Sequence, residues 1–128
     1  MRRPLVLICA LVASATLIAC GSQGIQLAEN DPDYAGARIF EQRCAGCHTL
    51  KAAGAQGSAV NVNSREYKDG PNFNQRKEQR DQVLYAIRNG GFSSGPMPQN
   101  IVVGKEAEQV ARFLEKYSGR EAAQTVSP

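Results

Sequence analysis

A chain of 128 residues with a formal charge of +3 is long enough for one domain and short for two. It has no dense Lys/Arg patch with interleaved aromatics, so composition points away from a nucleic-acid partner. It has no tryptophan and many Gly, Asn and Gln residues. Domains this small and this poor in apolar bulk commonly lean on a disulfide, a metal or a buried cofactor.

The chain opens MRRPLVLICALVASATLIAC. Arg2 and Arg3 make a basic start, and Leu5 to Ala19 carry no charge. That run falls short of the about 20 residues a membrane span needs. A basic start, a short apolar run and small residues at its end describe a secretory signal peptide. Leu17-Ile18-Ala19-Cys20 resembles the bacterial lipobox, in which cleavage precedes the cysteine and its thiol receives a diacylglycerol. The resemblance implies a signal peptide over 1–19, a lipidated Cys20, and an exported protein. Such a protein sits in the periplasm or is anchored on the outer face of the cytoplasmic membrane. Two acyl chains are about what stable attachment takes. Arg2 and Arg3 leave with the leader, and so does Cys9. Residues 20–30 then read as a lipidated start and a flexible tether, because GSQGIQLAEN offers little to pack.

Residues 31–119 form the domain, and 120–128 read as a disordered tail. Three helices are predicted. The first covers Asp31 to Arg43, with Asp31 as cap, Pro32 at the first position, and Tyr34, Ala37 and Phe40 on one face. The second covers Arg76 to Asn89, with Asn74 as cap, Val83, Leu84 and Ile87 as its stripe, and Gly90-Gly91 as stop. The third covers Lys105 to Ser118. There Ala107, Val110, Ala111, Leu114 and Tyr117 recur at spacings of three and four, with Phe113 beside them. No strand is expected. Between His48 and Pro71 runs a polar, glycine-rich stretch too long to be an idle loop in so small a domain.

The first helix leads into CAGCH, residues Cys44 to His48, which holds the only histidine of the chain. A structural zinc site would need a second ligand cluster, and none is present. A thioredoxin-like dithiol belongs at a helix start after a strand, whereas this pair follows a helix. A plain disulfide is the bland alternative. The remaining reading is covalent haem attachment, for which C-x-x-C-H is the signature. Two thiols three positions apart can reach two neighbouring vinyl groups, and the histidine after them then lies beneath the iron. Met97 is the only methionine besides Met1, and Pro96 and Pro98 hold it outside any helix. It is the candidate sixth ligand of an iron held by His48.

Taken together, AGARIFEQRCAGCH, GPNF, the GPMP loop and VARFLEKYSG resemble class I cytochrome c over residues 33–118. The resemblance implies an all-α fold whose N- and C-terminal helices cross at close to a right angle. A third helix and long loops wrap one haem c. It implies that Gly36 and Phe40 meet Phe113 and Tyr117. It implies that the Pro71 carbonyl accepts from the ring N–H of His48. Arg65, Tyr67, Asn72 and Arg76 are candidates for the haem carboxylates. The expected function is one-electron transfer by a monomer that is not an enzyme. It would work between membrane redox complexes, a quinol-oxidising complex as donor and a terminal oxidase as acceptor. The alternative is a haem enzyme or gas-binding sensor module with a labile sixth ligand.

Overall fold

The computed structural model of the protein describes residues 24–59, 62–93 and 95–121. The signal peptide expected over 1–19, the anchor at Cys20 and the tail from 122 onward lie outside the described residues. Helix α1 spans Tyr34–Arg43 and buries Gly36, Ala37 and Phe40. It starts three residues later than the sequence predicts. Asp31 organises a turn instead of capping the helix directly: its Oδ1 accepts from Asp33 N–H at 2.8 Å, and its carbonyl accepts from Tyr34 N–H at 3.0 Å.

Helix α2 spans Arg80–Asn89 and buries Val83 and Ile87. Gly90 ends it in the left-handed region, φ 74°, where glycine carries no Cβ penalty. Its predicted start at Arg76 is not observed, because residues 76–79 are spent on another contact: Glu78 N–H donates to Ser118 Oγ at 2.9 Å. Asn74, the expected cap, accepts instead from Lys51 N–H at 2.8 Å.

Helix α3 spans Gly104–Tyr117 and buries Ala107, Val110, Ala111, Phe113, Leu114 and Tyr117, the face that the spacing marks out. It packs on α1 at very close range. A Cβ on Gly36 would strike Gln109 O and come within 2.7 Å of Phe113 Cβ, so only glycine admits this approach. The rings of Phe40 and Phe113 stand 6.0 Å apart, and those of Phe113 and Tyr117 5.2 Å apart. Full burial of one such ring stabilises a fold by roughly 1.5–3 kcal/mol, so this aromatic seam is a main source of stability.

Two strands occur where none is predicted. Strands β1, Thr49–Leu50, and β2, Ala55–Gln56, pair antiparallel with Leu50 opposite Ala55. Each has two residues, too few to show an alternating pattern in sequence. They place the backbone just after CAGCH, and Phe73 N–H then donates to Thr49 O at 2.8 Å. The flexible tether expected over 20–30 is tied down in part. Gln26 N–H donates to Ala52 O at 3.0 Å, and Ile25 and Leu27 pack against the core. The expected tail is likewise docked at its start, with Glu121 N–H donating to Asn74 O at 3.0 Å.

Candidate functional site

Cys44 follows α1 directly, and its N–H still donates to Phe40 O at 2.8 Å. The chain then turns back on itself. Cys47 N–H and His48 N–H both reach Cys44 O, at 3.2 and 3.0 Å. This turn brings both thiols and the imidazole to the wall of one cavity of about 350 Å³. Phe40, Phe73, Val83, Ile87, Val110 and Leu114 make its interior apolar, while Arg43, Arg65, Lys68 and Arg76 add cationic groups to its lining. Met97 lines the same cavity from the loop after α2, and Asn100 N–H pins that loop to Ile87 O at 2.7 Å.

The ring of His48 is fixed on several sides. Nδ1 lies 3.2 Å from Pro71 O, a contact in which the ring N–H donates. That leaves Nε2 with its lone pair free for a metal. Phe73 stacks on the ring at 4.7 Å and 14°. Gly70 lies flat against it: a Cβ there would strike Cε1 and come within 2.8 Å of Nε2. Burial holds the imidazole below its ordinary pKa; the Pro71 bond opposes this and Arg76 adds to it. The ring is therefore neutral at pH 7, the form that ligates. Burial, and then Cys47, push the Cys44 thiol up to about 12, so it is a protonated thiol rather than a thiolate.

Two free thiols, a neutral imidazole and a thioether around one apolar cavity fit a covalently held haem. Among the described residues, no group of three or more His, Cys, Asp or Glu is placed to hold a metal ion, so the zinc reading finds no second cluster. The family model for cytochrome c oxidase, cbb3-type, subunit III matches residues 32–114, all of α1 and α2 and most of α3. The chain belongs to this family and is a class I cytochrome c. The c-type cytochrome SorU from Sinorhizobium meliloti, a crystal structure, is 35% identical with a TM-score of 0.52. The match covers 68% of this chain and 91% of that one. No match was found among curated proteins. Membership implies covalent haem c and electron transfer through it.

In this cytochrome, the residues singled out from sequence for the haem and its carboxylates gather with one exception. Cys44, Cys47, His48, Pro71 and Met97 share the cavity, as do Arg65, Tyr67 and Arg76. Asn72 is not in the wall; its Oδ1 accepts from Asn74 N–H at 3.0 Å. Sequence reading missed Ser58, Gly57 and Gly70. Ser58 Oγ accepts from Thr49 N–H at 2.9 Å and lies 3.1 Å from Pro71 O, to which it donates. A Cβ on Gly57 would strike Ala45 O and come within 2.7 Å of Cys47 N. The only hint was the glycine content of the stretch between His48 and Pro71.

Proposed function

We propose that this cytochrome is a one-electron carrier with a single haem c and His48/Met97 axial ligation. The observation that supports this most directly is that Cys44, Cys47, His48 and Met97 all line one cavity. When bound, the haem supplies the Fe(III)/Fe(II) couple. Cys44 and Cys47 would hold it by thioethers, each S–H adding across a vinyl group with no leaving group. His48 would ligate through Nε2, while its Nδ1–H on Pro71 O fixes the tautomer and raises ligand basicity. Met97 would supply the second axial ligand, a soft neutral thioether that favours the reduced state. Its loop position between Pro96 and Pro98 keeps it outside any helix.

With His48 and Met97 both holding the iron, no open position would be left for a substrate, which is why we read a carrier and not an enzyme. The lipobox-like Leu17 to Cys20 supports an exported protein anchored through Cys20 on the outer face of the cytoplasmic membrane. An anchor would keep the carrier at high local concentration beside membrane complexes. A quinol-oxidising donor and a terminal oxidase as acceptor fit that setting, and the oxidase in the family's description agrees with the second.

A pyridine haemochrome spectrum with the intact mass of membrane-extracted protein tests attachment, haem count and diacylation together. We expect one haem c, low-spin iron, and a weak charge-transfer band near the red end of the visible. Met97→Ala removes that band. High-spin iron that binds CO avidly in the untreated protein would favour the sensor or enzyme instead.

A further inference from the structure

Glu78 takes no part in the scheme above, yet it lines the same cavity. Its side chain is only 5% exposed, and a buried carboxylate is costly unless it is paired and hydrogen-bonded. The pairing is incomplete. Arg76 Nε stands 2.6 Å from Oε1, but no donor is aligned on that oxygen, which has no hydrogen-bond partner among the described residues. Arg76 itself is 52% exposed, so it shares its charge with solvent and gives solvent a route to the pair. The contact is ionic and its guanidinium is shared with solvent, so a proton can reach the carboxylate.

We propose that Glu78 is a redox-linked proton site, taking up a proton from solvent when the haem is reduced and releasing it on oxidation. This rests on the haem reading above. Reduction removes one positive charge from the iron, and an anion in the cavity wall loses that much attraction. The carboxylate therefore holds its proton more firmly in the Fe(II) state. By linkage, the ionised carboxylate lowers the potential by the same amount that reduction raises its proton affinity. The balance is one electron from the donor onto iron and one proton from solvent onto a carboxylate oxygen, both leaving on reoxidation.

Other charged groups share the cavity: Arg43 from α1, and Arg65, Lys68 and Asp69 from the loop before Pro71. Asp69 is buried too, but it is tied locally: its Oδ2 accepts from Glu66 N–H at 2.8 Å, and Lys68 Nζ stands 3.8 Å from its Oδ1. From α3's end, Ser118 Oγ accepts from the backbone N–H of Glu78, and Glu115 holds the flanking residues, its carbonyl accepting from Lys77 Nζ and its Oε1 from Arg80 N–H at 3.4 Å. Burial pushes Glu78 above the usual carboxylate range, and Arg76 is the one charge that pulls it back.

The test is the midpoint potential of haem-loaded protein from about pH 4, near the ordinary glutamate value, to about pH 9. We expect it to fall as pH rises through the Glu78 titration, by about a tenfold change in the reduction equilibrium, or about 59 mV for one electron. Glu78→Gln should lie higher at neutral pH and lose that slope. A Glu78→Gln profile identical to the wild type, with haem intact, overturns the proposal. Should the variant fail to load haem, redox-difference infrared spectra of the wild type decide. A protonated-carboxyl band gained on reduction should keep its position when the host is fed carbon-13 5-aminolaevulinate, which labels the haem carboxylates and not glutamate side chains. No such band, or a band that shifts with the haem label, overturns the proposal while leaving the carrier reading intact, whereas a protein without haem c overturns both.

Discussion

The two sides of the cavity are built on different principles. The helical side is a seam of side chains: Phe40, Phe113 and Tyr117 pack between α1 and α3, and Gly36 lets the two backbones approach. The loop side is a web of backbone polar groups. Around His48 it is held by Ser58, Pro71, Gly57 and Gly70, with little regular structure. Apolar burial is strong and non-directional, whereas hydrogen bonds are individually modest and directional. The first side is therefore suited to holding the fold and the second to aiming an imidazole.

Substitutions can break that division or sharpen it. Phe113→Ala should have the largest effect. A ring with 0% exposure is lost from the seam, costing about 3–5 kcal/mol, a large share of the roughly 5–15 kcal/mol that holds a typical domain. Thermal melts of the haem-loaded protein, followed by far-ultraviolet circular dichroism, should show it directly. Gly36→Ala comes next, at about 1–3 kcal/mol, because the new methyl must force α1 away from Gln109 and Phe113. In both cases the haem bands should keep their positions below the melt; shifted bands would show that the seam also aims the ligands.

Ser58→Ala attacks the loop side. It strands the buried Thr49 N–H and removes a donor to Pro71 O, so a loss of about 1–3 kcal/mol is expected. Here the spectrum and the midpoint potential should move as well, since the Pro71 carbonyl is left to His48 alone. An unchanged potential would mean that the web is only scaffolding. Lys116→Ala is the smallest case. Its 2.7 Å ion pair with Asp33 has a half-exposed ammonium, so solvent screens it and little stability is lost with it. A melt shifted by several degrees would show that the seam extends further out than its aromatic centre.

The same division explains what could be read from the sequence. Val110, Phe113, Leu114 and Tyr117 announce α3 because helical burial leaves a period of three and four. CAGCH and Met97 announce themselves because their chemistry needs those residue types. Ser58 and Gly70 gave no such signal. Their roles come from where a distant backbone lies, 10 and 22 positions beyond His48, and no local pattern encodes that. The start of α2 was misplaced for a related reason: residues 76–79 were taken up by a partner 40 positions away, Ser118. The docked stretch around Ile25 and Leu27 went unseen because two apolar residues among polar ones read as linker.

Asp31 and Asp33, just before α1, meet Tyr117 and Lys116 at the far end of α3, at 3.2 and 2.7 Å. The entrance and exit of the domain are therefore clasped together. Domains of that kind tolerate being rewired. A short linker joining the two ends, with a new opening cut at an exposed loop such as the one before Gly104, should give a circularly permuted chain that still assembles the same helical seam.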